Sequence, residues 1–121
     1  MTHKVDLRPK LDLPDLAAST DEEQFQNGVL RPILKLQNEL YLLLFSDYAL
    51  RQNKDFPFAT VEQKRIFVTD SIQKDNVLKN TFIGITIGMF TAPELEVYLQ
   101  NSRNYNRRIT AMLTKRILSQ I

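Results

Sequence analysis

Glu94, Tyr98, Asn106 and Arg108 bring a carboxylate, a phenol, an amide and a guanidinium close together in the C-terminal part of the chain. These side chains can move protons or hold a small polar ligand. Gln37 interrupts an apolar stripe earlier in the sequence, where a buried amide must find hydrogen-bond partners. If the last two helices pack against it, Gln37, Glu94, Tyr98, Asn101, Asn106 and Arg108 form one polar cluster, with Glu94 near Arg108. The plainer reading is a helix-starting carboxylate and buried polar groups that satisfy one another. No residue is therefore assigned a catalytic role.

A second set is cationic. Arg103, Arg107, Arg108 and Lys115 project from the side of the last helix opposite its apolar arc, and Arg116 within that arc can snorkel its charge outward. Such a face contacts phosphates, which require positive charge more than sequence, or it simply solvates the helix and complements its dipole. No DNA-reading motif accompanies it, and too few aromatics interleave to stack bases. Gly84 and Gly88, four residues apart in an apolar segment, leave a smooth groove. That groove suits tight packing within the chain, a dimer seam or the floor of an apolar pocket. It is not a phosphate loop, because no Lys-Ser/Thr follows and no strand precedes it.

Composition excludes much other chemistry. The 121 residues contain no Cys and a single His, His3. Disulfides, thiolate metal sites, cysteine nucleophiles, zinc hydrolase sites, histidine triads and Glu-x-x-His di-iron sites all lack their parts. Neither a metal nor a cofactor is expected. Sixteen Lys and Arg against fourteen Asp and Glu leave a net charge of +2, too small for a strong overall field. Its distribution is uneven, since residues 91–121 hold five bases and only Glu94 and Glu96 as acids.

Hydrophobic residues at 43% and charged residues at 25%, with few Gly and Pro, describe one globular domain of ordinary size. Asp6, Asp12 and Asp15 lie among the leucines of the first 20 residues, which therefore do not read as an export signal. The apolar runs 40–45 and 82–90 fall well short of the ~20 residues that span a bilayer. The expectation is a cytoplasmic protein with no membrane association.

The elements that must position these residues are helical. Residues 1–19 mix Leu, Asp, Lys and Pro without period and read as an extended N-terminal arm, leaving residues 20–121 as the domain. Thr20-Asp21-Glu22-Glu23 is a helix-starting capping box, and Asn27-Gly28 marks a stop or bend. From Val29 to about Gln52, two adjoining stripes (Val29, Ile33, Leu36, Leu40, Leu43 and Leu30, Leu34, Tyr41, Leu44, Tyr48) predict a central helix buried on more than one side. Leu42 and Phe45 narrow its polar strip further.

Thr60 starts the next helix, with Val61, Phe67, Val68, Ile72, Leu78, Phe82 and Ile83 on one arc. Asp75 and Lys79 share that arc, so they pair with each other or the helix breaks near Asn76. Residues 82–90 are β-branched enough for a strand, but a lone strand has no partner, so they are read as helical. Thr91 and Pro93 start another helix with Leu95, Tyr98 and Leu99 inward. The last helix places Tyr105, Ile109, Met112, Leu113 and Ile117 on one side. The predicted fold is all-α, a compact bundle of four to five helices.

The runs Glu23-Gln24-Phe25-Gln26-Asn27, residues 30–38, Gly88-Met89-Phe90-Thr91 and Asn106-Arg107-Arg108-Ile109 give the chain a resemblance. It resembles a family of small, poorly characterised bacterial helical proteins sometimes labelled glyoxalase, over most of residues 20–121. The resemblance implies an all-helical domain. Metal-dependent glyoxalase chemistry needs paired β-α-β-β-β modules and His/Glu ligands at an open metal site, and these residues supply neither.

The leading expectation is a non-enzymatic domain that acts by self-association or by packing against a protein partner. A central helix apolar almost all round, in a chain this small, supports it. Nucleic-acid association through the basic helix and a small-ligand or enzymatic role for the polar cluster are the alternatives.

Overall fold

The computed structural model describes residues 4–9 and 20–121. The chain is all-α, with no strand among the described residues. Thr20 caps α1 (Asp21–Phe25), its hydroxyl accepting the Glu23 N–H at 3.1 Å. The helix does not stop at Asn27-Gly28. It widens into a π-helical turn, Gln26–Leu30, and continues as α2 (Arg31–Leu36). Pro32 accounts for the widening: it has no N–H and its ring crowds the carbonyl four residues back. The Arg31 N–H accordingly reaches back five residues to the Gln26 carbonyl.

At Gln37 the backbone leaves helical geometry, and α3 (Asn38–Gln52) begins on a new phase. A 3-10 turn at Phe56–Phe58 leads to α4 (Val61–Lys74), opened by a complete capping box between Thr60 and Gln63. Of the two outcomes open for Asp75 and Lys79, the helix breaks: Asp75 turns extended and caps α5 (Asn76–Ile87). Of residues 82–90, read as helical, 82–87 are so, while 88–90 form the turn that leads into Thr91. Thr91 and Glu94 form the capping box of α6 (Ala92–Gln100), and Asn101 separates it from α7 (Ser102–Leu118). With α1, the π turn and α2 as one body, the described residues form six α-helical bodies where four or five were expected. The breaks at Gln37, Asp75 and Asn101 have no proline or glycine to announce them.

The core is organised on α7, whose Tyr105, Ile109, Leu113 and Ile117 repeat every four residues and are all buried. Helices α4 and α5 pack against α7 and against each other, bringing Val68, Ile72, Leu78, Phe82 and Ile83 into the same cluster. Leu30, Ile33 and Leu34 come from the first body and Tyr41, Phe45 and Ala49 from α3.

Two predicted faces are corrected. On α3 the inward residues are Tyr41, Phe45 and Ala49, while Leu40, Leu43 and Leu44 are exposed. The π turn and the Gln37 break each shift the helical phase, so stripes beginning at Val29 cannot continue onto one side of α3. Val61 and Leu99, read as inward, are also exposed, and Met112 is half-buried. Among the described residues no helix is long and apolar enough to cross a membrane.

Candidate functional site

Most of the predicted arm (residues 1–3, including His3, and 10–19) lies outside the described residues. Lys4–Leu7 forms a 3-10 turn, so this part of the arm is not extended. It ends at Arg8, whose Nη1 and Nη2 donate to Glu94 Oε2 and Oε1 at 2.7 Å each, while Nη2 also reaches the Met89 carbonyl at 2.6 Å. Lys4 Nζ donates to the Phe90 carbonyl at 3.4 Å. Two carbonyls of the link between α5 and α6 thus receive their donors from the N-terminal segment. Burial pushes the Glu94 carboxyl up, but the Arg8 hydrogen bonds, the Thr91 N–H and the Arg8 charge outweigh it and leave Glu94 below its ordinary value. Arg8 Nε is buried without a partner.

The expected polar cluster does not assemble. Glu94 holds Arg8, not Arg108. Arg108 lies across the start of α7, donating from Nε to Asn104 Oδ1 at 2.9 Å and from Nη1 to Gln26 Oε1 at 2.7 Å. Its guanidinium ties the π turn to α7. Gln37 is the hinge between α2 and α3, its carbonyl accepting from the Leu40 and Tyr41 N–H groups. Only Tyr98 and Asn106 meet, the phenol donating to Asn106 Oδ1. Tyr98 is otherwise part of an aromatic core with Phe25, Phe90 and Tyr105, at centroid distances of 4.7–6.3 Å. Burial raises its pKa above the ordinary phenol value, opposed by the Asn106 hydrogen bond. This arrangement closes an aromatic core, and Glu94 and Arg108 are each held by other partners.

The cationic set divides. Arg108 is half-buried and engaged with Asn104 and Gln26, while Arg103, Arg107 and Lys115 remain exposed. Lys79 of α5, which the sequence reading had considered only as an ion-pair partner for Asp75, joins Arg103 and Arg107 around a depression of about 360 Å³. A neighbouring depression of about 420 Å³ shares Arg107 and Thr110 and extends to Lys115 and, on α4, Gln73. Asp75 is occupied otherwise: it caps α5 through the Leu78 N–H at 3.1 Å and accepts from the Tyr48 hydroxyl at 3.0 Å. Those two contacts, in that order, hold its pKa below the ordinary carboxylate value.

Among the described residues, no other element closely approaches these glycines. A Cβ placed on Gly84 meets nothing within 4 Å, and one on Gly88 meets only the carbonyls of Gly84 and Ile85 in its own helix, at 3.3 and 3.6 Å. Tight packing inside the fold therefore does not explain them. A broad groove of about 800 Å³ instead lies along α4 and the start of α5, lined by Tyr48, Ile66, Phe67 and Val77 with Asp70 and Asp75 at its polar parts.

The remaining surface feature is apolar. At 100° per residue, Leu40, Leu43, Leu44 and Leu50 fall within roughly 120° of arc on α3, opposite Tyr41, Phe45 and Ala49. They are 47%, 69%, 36% and 46% exposed. Asp47 and Arg51 share the arc and pair with each other at 2.9 Å. No protein-family model, no curated protein and no solved structure matches this chain, so the reading of its function rests on these surfaces.

Proposed function

We propose that this protein is a non-catalytic helical domain that works by binding, and that it pairs with a second copy of itself through the outer face of α3. The four exposed leucines on that arc carry the reading. Apolar side chains scattered singly on a surface need no explanation, but four on one face of one helix form an apolar seam around the Asp47–Arg51 pair. The ends of α3 favour a second copy as occupant. Glu39 lies in its first turn and Arg51 in its last, so an antiparallel two-fold pairing sets each Glu39 beside the Arg51 of the other copy. The same proposal takes the chain to be cytoplasmic and its helices to form one bundle, which the single buried cluster joining them supports.

Sedimentation velocity over a concentration series tests the pairing. The expected species has twice the mass of the 14.1 kDa chain, and Leu43→Lys returns it to a monomer with an unchanged far-UV circular dichroism spectrum. Leu43 is mostly solvent-exposed, so its replacement leaves the core intact. A wild-type chain that remains monomeric throughout the series, or a Leu43→Lys dimer as tight as wild type, overturns the reading.

A further inference from the structure

We propose that the groove between α7 and the α4–α5 pair binds the phosphate backbone of nucleic acid without reading its bases. The cations that line it are Lys79, Arg103, Arg107 and Lys115, and no carboxylate lines either depression. None of the four makes an ion pair among the described residues, where the cations that do so are Arg8, Arg51 and Lys74. α7 itself holds five bases and no acid. Four unpaired charges of one sign along one groove repel each other, and a polyanion relieves that repulsion.

Geometry favours a linear anion with repeated charges. Arg103 and Lys115 are twelve residues apart on one continuous helix, roughly 18 Å at 1.5 Å per residue. A nucleic-acid strand advances about 3.4 Å per phosphate, so that run follows about five steps of backbone. Lys79 approaches from α5 and makes the surface a groove with two walls.

The lining also indicates what is not read. The Thr110 hydroxyl donates to the Asn106 and Arg107 carbonyls and Thr114 to the Thr110 carbonyl, so these hydroxyl protons are used within the helix. The guanidinium and ammonium groups are left as the charged donors, beside the neutral side chains of Gln73, Ser102 and Asn106. No aromatic ring lines the groove to stack a base. The same lack of aromatic or large apolar anchors disfavours an acidic protein as the occupant.

The test is fluorescence anisotropy of a labelled 30-mer DNA, as duplex and as single strand, titrated with the full chain at several salt concentrations. Four phosphate contacts make affinity fall about 150-fold on duplex, or about 50-fold on a single strand, between about 50 and 200 mM salt. The Arg103→Glu/Arg107→Glu variant leaves two contacts, and the fall on duplex shrinks to about 12-fold. Both side chains are exposed, and glutamate at 103 is favourable in the first turn of α7, so the variant folds. Lys54→Glu/Arg65→Glu, at two exposed residues that line neither depression, makes the same change in net charge outside the groove and retains the wild-type slope. Lys79→Gln lowers the slope by about one, which a plain α7 face without the α5 wall does not predict.

The proposal is overturned by absence of binding at the lowest salt. It is also overturned if the control variant loses as much slope as the groove variant, or if poly-glutamate binds as tightly as DNA.

Discussion

The guanidinium of Arg8 grips both carboxylate oxygens of Glu94 across 86 residues of sequence. Glu94 is also the residue that completes the capping box of α6, so one carboxylate starts a helix and holds the N-terminal segment. The side chains are 7% and 17% exposed, which places the pair between a surface ion pair and a fully buried one. Arg8→Ala is expected to lower stability by about 1–3 kcal/mol, less than the ~3–5 kcal/mol of a fully buried pair because Glu94 retains solvent. Arg8→Lys restores only part of this, since an ammonium cannot match both oxygens. Urea unfolding followed by circular dichroism measures both.

Acid should weaken the fold through the same carboxylate. Glu94 has a folded pKa below its ordinary 4.5 and Asp75 one below its ordinary 3.8. The unfolded chain therefore takes up these protons first. The stability linked to them is complete above about pH 4.5 and is lost as pH falls through the folded values. Urea midpoints measured downward from neutral pH should drop in that range, and Glu94→Gln should flatten the drop while leaving the Asp75 contribution.

Alkaline pH should act on Tyr41. Its hydroxyl lies 2.8 Å from Thr86 Oγ1, and Thr86 donates its own proton to the Phe82 carbonyl, so Tyr41 is the donor of the pair. Burial pushes the Tyr41 pKa up to about 12, with the Thr86 contact and the Arg116 charge opposing it. A raised folded pKa keeps its stabilisation below pH 10 and loses it as pH rises from about 10 to 12. Thr86→Val orphans a buried phenol and should cost about 1–3 kcal/mol. Tyr41→Phe should cost about 0.5–1.5 kcal/mol, because Thr86 keeps its backbone acceptor, and should remove the part of the alkaline loss due to Tyr41.

Gly84 offers a gain. It sits inside α5 with ordinary helical dihedrals and open space where a Cβ would point. Gly84→Ala is therefore expected to stabilise by about 0.5–1 kcal/mol, read as a rise of a few degrees in Tm. The same substitution tests the dimer-seam reading of the glycines: if Gly84 lies in such a seam, the dimer weakens in sedimentation while the monomer gains stability.

The sequence by itself determined the helical character of this protein and where several helices begin. Thr20, Thr60 and Thr91 each start the helix expected of them, because a hydroxyl that accepts an N–H three residues on is a purely local bond. The inward face of α7 was legible for the same reason: Tyr105, Ile109, Leu113 and Ile117 lie on one uninterrupted helix, and its period carries the pattern through. Tertiary structure decided the rest. A π turn beside Pro32 and a break at Gln37 changed the helical phase, turning leucines expected in the core outward; Pro32 signals a disturbance but not its added residue per turn, and no Gly or Pro marks Gln37.

The candidate sites divide the same way. The exposed side shared by Arg103, Arg107 and Lys115 was legible from spacing, because one helix orders them. That Lys79 lines a depression with Arg103 and Arg107, and that Arg108 is tied to Gln26, depend on what packs against α7. Arg8 left no local signal at all. Its partner lies at the far side of the chain, and an ion pair between distant residues is specified only once folding has brought α6 beside the N-terminal segment.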